Sequence, residues 1–505
     1  MKKIFAFLVS GVLSLGACQG NPGNEELPQQ ANSYFVAVDG NDGNDGSVSA
    51  PLKTINLALE KANAGDTVFV RAGTYHQKVK FPRSGLGGQE ITLKAYPGEK
   101  PKLSGEGMAV NGTDAMLLIS GKRFITVEGL EIADFRSTTN WTDVNGIIVN
   151  AASNNITLRR NHVHHIESNI PLADGRSGHA ILIIGNTDTP LRNILVEENE
   201  INDCKTGYSE NLTINGYVDG FIIRNNRIYN CENIGIDAAG GYAANPVPAY
   251  NYARNGVICG NEVFNVENKR GPIGGYGAIG IYVDGARNII LERNRVYQCD
   301  RGIGMVSETN DFPTTHCIAR NNVVYDCWRL GIYMGGYLGY TGGGTDNCYI
   351  VNNTLYANNK VIGYFDEIEG EIRLTEDCKN SLIINNLVYS GPNDLFVHKY
   401  TTTGTSNTFD HNLYYGPGKW LWNSVNGTPI TDFAIWKSTC GGDHNSIHGA
   451  DPLFRDRTNA DFSIPASSPA KNAGKVLPDA SVFGETDFYG KPRTENGKIS
   501  IGAIQ

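Results

Sequence analysis

Short runs of alternating apolar and polar residues recur along the chain from about residue 150, as in "GFIIRNN" (220–226) and "NIILERN" (288–294). Most runs close on an asparagine, a variable residue and an apolar one. The asparagines are Asn161, Asn199, Asn226, Asn261, Asn294, Asn322, Asn353, Asn386 and Asn412, at intervals of 26 to 38 residues. Alternation with period two is strand periodicity. A repeat of roughly 20 to 50 residues built from short strands marks a solenoid or a propeller. Propeller signatures are absent, and uneven intervals suit a helix of strands whose coils shed loops of any length. Cys204, Cys231, Cys299 and Cys327 each lie five residues after a motif asparagine. That shared register predicts a core stack of small apolar thiols; the alternative in an exported protein is a disulfide framework. The asparagines predict a ladder too, because Asn tolerates left-handed turns and its amide can bond the next coil.

Composition agrees. Sixty glycines in 505 residues and only five methionines favour turns and strands over helices. The formal net charge is -9 and no basic cluster stands out, which argues against a nucleic-acid partner, since phosphates need a Lys/Arg footprint. The N-terminus reads as a targeting segment: "MKK", the apolar "IFAFLVSGVLSLGA", then Cys18. "LGAC" resembles the bacterial lipobox. That resemblance implies a signal peptide over 1–18, lipid on Cys18, and a protein anchored to the cell envelope (outer membrane or cell surface) without spanning it. The plainer alternative is a secretory signal with a chance cysteine. Residues 19–33, "QGNPGNEELPQQANS", read as a flexible tether. No later segment reaches the ~20 apolar residues of a membrane helix. A monomer is expected.

The stretch "YFVAVDGNDGNDGSVSAPLKTINLALEKANAGDTVFVRAGTY" (34–75) resembles the N-terminal module of the right-handed parallel β-helix proteins of bacterial polysaccharide degradation. The segment from "DPLF" (451–454) to "IGAI" (501–504) resembles their closing segment. The resemblance implies an all-β chain: a right-handed parallel β-helix over 34–455, a C-terminal closing segment over 456–505, and a capping helix within "PLKTINLALEKANAGD". A cap matters because an open solenoid end exposes strand edges and apolar core. "DGNDGNDG" (39–46) looks calcium-like but lacks EF-hand spacing; Asx turns before the cap helix are the expectation.

Four "GI" pairs set the register: Gly235-Ile236, Gly280-Ile281, Gly302-Ile303 and Gly331-Ile332. If each isoleucine faces in, alternation turns Asp237, Tyr282, Asp284, Gly304, Val306, Glu308, Tyr333 and Tyr337 outward. The middle two marks are 22 residues apart, about one coil. Asp284 and Glu308 then sit on adjacent coils with Cα atoms roughly 8 Å apart, close enough to work on one sugar as an acid pair. Solvated surface acids are the competing reading. Tyrosines on the same face can stack on sugar rings, neighbouring glycines admit a ligand, and long insertions leave these coils as cleft walls.

The pair also looks like that of a β-helix xylosidase family, which implies Asp284 as nucleophile and Glu308 as acid/base. A rival resemblance is to β-helix pectate and rhamnogalacturonan lyases, carried by "VDGF" (218–221) and "NCENIGID" (230–237). It implies calcium held by Asp219 and Asp237. Two departures stand against it: Asn233-Ile234 replaces the adjacent aspartate pair, and Tyr282 stands where the lysine base is expected. They leave the lyase open, since a tyrosine can serve as base when its pKa is lowered. His179, ahead of a buried-looking strand, is a candidate cleft residue. Glu210 would orient substrate or cap a turn. His162 and His164 share a face with Glu167 nearby, as a metal pair, a substrate lining or plain surface. The expectation is an exported enzyme that degrades a polysaccharide or oligosaccharide. A cofactor-free glycoside hydrolase leads, a lyase on an acidic glycan such as pectin or rhamnogalacturonan follows, and a non-catalytic glycan-binding lipoprotein is third.

Overall fold

The computed structural model describes residues 31–337, 339, 343–361, 369–392 and 395–505. The expected signal peptide, Cys18 and most of the tether lie outside the described residues. Strands pair in parallel into three sheets wound around one apolar core. One coil shows the pattern: Ile279–Asp284 joins the second sheet, Arg287–Glu292 the first and Arg295–Tyr297 the third. The expected parallel β-helix is therefore what forms. Helix Ile55–Lys61 buries Ile55, Ala58 and Leu59 and packs on Ser33–Val36 and Thr67–Val70 in the first coil. The "DGNDGNDG" loop ahead of it is made of Asx turns: Asn41 and Asp45 each accept a backbone N–H two residues on, at 2.8 Å.

The motif asparagines form one unbroken ladder. Asn226 is typical: its backbone N–H and its Nδ2 both donate to Asn261 Oδ1, at 2.9 and 3.0 Å, and Nδ2 also donates to the Val196 carbonyl. Asn294 repeats this with Asn322 and the Ile258 carbonyl. Each buried amide is thus satisfied by its neighbouring coils. The left-handed conformation is not taken by the ladder residue itself. It falls on the residue before it, as at Asn225, Arg293 and His411 (φ 55°, 55° and 52°). The chain bends there, and the amide that follows turns inward to fill the bend. Cys204, Cys231, Cys299 and Cys327 are free and buried in the same core. Cys317, Cys348 and Cys378 form a further buried, unbridged set.

The ladder ends at Asp443, which accepts from Asn412 Nδ2, Tyr414 Oη and Trp436 Nε1. Helix Phe433–Cys440 lays Trp436 over Trp420 and so closes the last coil. Residues 456–505 run along the outside instead. Phe462 and Ile504 pack on Val323 and Tyr325, while Ile499 and Phe483 pack on Val351 and Ile384. Those are outward positions of the third and first sheets. The second sheet carries the insertions that follow Ala239, Ser307 and Gly336. Among the described residues no helix is long and apolar enough to cross a membrane.

Candidate functional site

The second sheet fixes the site through its register. Ile236, Ile281, Ile303 and Ile332 are successive partners and face the core. The next position gives an outward row of Asp237, Tyr282, Gly304 and Tyr333. Two residues on, Ala239, Asp284, Val306 and Gly335 form a parallel row. Glu308 follows strand Arg301–Ser307 directly, one outward step beyond Val306.

Asp284 and Glu308 meet. The backbone N–H of Glu308 donates to Asp284 Oδ1 at 2.9 Å. The Tyr242 hydroxyl donates to Asp284 Oδ2 and lies 3.4 Å from Glu308 Oε2. Tyr282 donates to the other Glu308 oxygen, Oε1, at 2.8 Å. Both Asp284 oxygens are thus engaged, whereas among the described residues Glu308 Oε2 has only the long contact. Asp284 is 2 % exposed and Glu308 is half-buried. Burial, then the charge of Glu308, pushes Asp284 up to about 8. The rise falls on Asp284 because its strand position is the more enclosed one.

Two more carboxyls adjoin the pair. Asp237 is 3 % exposed, and burial, then Glu210, Asp284 and Glu308, raises its pKa well above the carboxylate range. Among the described residues its Oδ1 has no hydrogen-bond partner. Burial also raises Glu210, opposed first by His179. His179 lies on this sheet; its Nδ1 donates to the Glu210 carbonyl at 2.9 Å and contacts Thr213 Oγ1 at 2.8 Å. Four carboxyls therefore share one outer face, and like charges this close do not all ionise at neutral pH.

Three expectations need correction. Tyr282 and Tyr333 are 1 % and 2 % exposed and pack with Ile234, Ile279, Val306 and Leu330. They form a buried support beneath the acids and offer no open ring for sugar stacking; Tyr337 is half-buried beside them. Asp219 does not approach Asp237. It opens strand Asp219–Arg224 in the first sheet, where Arg192 and Asn255 bind it at 3.0 and 2.6 Å. The two aspartates lie on different sheets, with Asp219 held by its own partners, an arrangement that does not fit a common calcium ion. The phenols of Tyr242 and Tyr282 shift up, through burial first and then the carboxylates, which is the wrong direction for a base. His162 and His164 share a face as expected, 4.3 Å apart, but on the third sheet, with His164 tied to Glu131. Among the described residues no three His, Cys, Asp or Glu side chains are grouped to hold a metal.

Tyr242 was not foreseen. It stands in the insertion after strand Ile234–Ala239, beyond the reach of strand alternation. Arg301 was missed as well. Its Nη1 donates to Tyr337 Oη at 3.1 Å, and Tyr337 Oη lies 3.3 Å from Tyr282 Oη, which extends the network behind Glu308.

Known proteins share this architecture. The family described as "Pel9A-like, right handed beta helix region" matches residues 34–189, and "Right handed beta helix region" matches 117–335. The structure of XylC with xylose superposes with a TM-score of 0.50 over 94% of this chain and 98% of that one. At 13% identity, that is a likeness of fold. Pectate lyase PEL9 of Emericella nidulans is 31% identical over 230 residues, 43% of this chain and about half (51%) of that one. The uncharacterized protein YwoF of Bacillus subtilis is 33% identical over 482 residues, 93% of this chain and 99% of that one. The chain belongs to the family of YwoF and is built as a right-handed β-helix.

Proposed function

We propose that the protein is a retaining glycoside hydrolase acting on a polysaccharide or oligosaccharide, with Asp284 and Glu308 as its catalytic pair. The observation that carries this reading is the contact of one hydroxyl, that of Tyr242, with both carboxyls. Such a contact holds the groups near the ~5–5.5 Å spacing of retaining enzymes; inverting enzymes keep ~6.5–9.5 Å to admit a water. Asp284, with both oxygens engaged, is oriented as the nucleophile. Glu308, with Oε2 nearly free, is placed to protonate the leaving oxygen and then to activate water. In the resting protein the pair's proton sits on Asp284. For transfer the Tyr242 hydroxyl turns from Asp284 to donate to Glu308 Oε2 and accepts at Oη from Asp284; the Asp284 proton passes to Oη as the Tyr242 proton passes to Oε2, leaving Asp284 ionised for attack.

The likeness to a pectate lyase supports a carbohydrate substrate, but the geometry favours hydrolysis. The phenols of Tyr242 and Tyr282 are raised rather than lowered, which does not suit them as bases for an elimination. The fold shared with XylC makes xylosides a sensible first trial. On the strength of "LGAC" we also propose lipid attachment at Cys18 and an envelope location.

Wild-type protein should release nitrophenol from at least one of a panel of nitrophenyl glycosides, and proton NMR should show the first-formed sugar with retained anomeric configuration. Unsaturated uronide products from pectin, with no hydrolysis anywhere on the panel, would replace this reading with the lyase.

A further inference from the structure

On the N-terminal side of the acids, the outer face of the second sheet opens into a cleft of about 520 Å³. Its floor is apolar, formed by Leu118, Ile148, Leu182 and Ile184. Its rim carries Asn150 and Asn186. It also carries Lys78 and Asp114, which neutralise each other in an ion pair of 2.5 Å.

The floor is in line with the acids. Register carries Leu118, Ile148, Leu182, Thr213, Asp237 and Tyr282 along one outward row. Leu118 stands four strands from Asp237, roughly 19 Å at the usual strand spacing. Past Tyr282 the same row is filled. A Cβ on Gly304 would lie 2.7 Å from the rings of Tyr282 and Tyr333. Tyr333, Arg373, His398 and Leu421 follow in register and are all buried. The open cleft ends at Leu182 and Ile184; Thr213 and Asp237 continue the row and are buried, so the acids stand between the cleft and a packed block.

We propose that this cleft binds a neutral glycan chain on the N-terminal side of the acids alone, so that cleavage falls at or next to a chain end. This rests on the hydrolase reading above. An apolar floor suits the C–H faces of sugar rings, and rim amides suit their hydroxyls. The charged residues of the lining, Lys78, Lys80, Asp114 and Asp143, sum to zero and so offer an acidic glycan no net attraction.

The test uses full-length Glu308→Gln protein, titrated calorimetrically with xylose, cellobiose-type and galacturonate oligomers from dimer to hexamer. A neutral series should gain at least about tenfold in affinity with length. Leu118→Trp and Ile184→Trp, at half-buried positions, should erase that gain while thermal unfolding confirms their fold. Wild-type protein should shorten the bound hexamer from one end. Affinity that does not rise with length for any series would overturn the proposal. So would a gain that survives both Trp substitutions, preference for galacturonates, or mid-chain products. Aryl monoglycoside turnover by wild-type protein reports on the hydrolase reading separately, since it needs no chain in the cleft.

Discussion

Asp284 Oδ1 accepts the backbone N–H of Glu308 at 2.9 Å, a bond between neighbouring coils that fixes one acid to the other before substrate arrives. Strand spacing in a parallel β-helix is set by the backbone ladder, so the pair is as rigid as the solenoid beneath it. Tyr242, brought over from an insertion, completes the unit.

A coupled pair titrates as a unit. The proton held on Asp284 is lost near pH 8, so kcat/KM should fall on the alkaline side with an apparent pKa of about 8. The Tyr242 hydroxyl bond lowers the pKa of Asp284. Tyr242→Phe should therefore move that limb to higher pH while lowering kcat about 10²-fold, the scale of an impaired proton transfer. A pH–rate profile of the two proteins checks both effects. An unmoved limb would remove Tyr242 from the proton path.

The same burial makes stability depend on pH. Asp284 is raised from 3.8 to about 8 on folding, so between those values the folded chain holds a proton that the unfolded chain releases. This contribution is fully present below the unfolded pKa and is lost as pH rises through the folded one. Asp237 shifts in the same direction. Asp284→Asn and Asp237→Asn should each raise Tm more at about pH 9 than at about pH 4, as read by calorimetry. Equal gains at both would show that neither group is held protonated.

Asn294 tests the ladder. Its Oδ1 accepts two bonds from Asn261, and its Nδ2 donates to Asn322 and to the Ile258 carbonyl. Asn294→Ala would leave several of these buried groups unpaired. Denaturant unfolding should show a loss of about 2–5 kcal/mol. A loss under about 0.5 kcal/mol, the range of ordinary surface changes, would mean that the ladder is not a stabilising element.

The parts of the fold and site that repeat were legible in the sequence. Period two turned Asp237, Tyr282 and Asp284 outward, and the fixed offset from the motif asparagines placed Cys204, Cys231, Cys299 and Cys327 in the core. Alternation says only which way a side chain points. It does not say what packs over it, so Tyr282 and Tyr333 read as open walls although neighbouring groups bury them. It also fails at coil corners. Asp219 follows a bend into another sheet, and its distance from Asp237 depends on the turn between them. Insertions carry no period at all, which hid Tyr242. The local shift of the left-handed residue to the position before each ladder asparagine was hidden for a related reason, because side-chain propensity does not fix which of two adjacent residues bends.

The central claim is that Asp284 and Glu308 perform the chemistry, and leaving-group dependence tests it most directly. Wild type, Asp284→Asn and Glu308→Gln are compared on alkyl, nitrophenyl and dinitrophenyl glycosides of the sugar that the wild type accepts. Glu308→Gln should lose about 10²–10⁴-fold on the alkyl glycoside and recover on the dinitrophenyl one, whose leaving group needs no proton. Asp284→Asn should stay low throughout, because no leaving group replaces a nucleophile. Near-wild-type turnover of the alkyl glycoside by both variants would contradict the account and return these carboxylates to the surface of the solenoid.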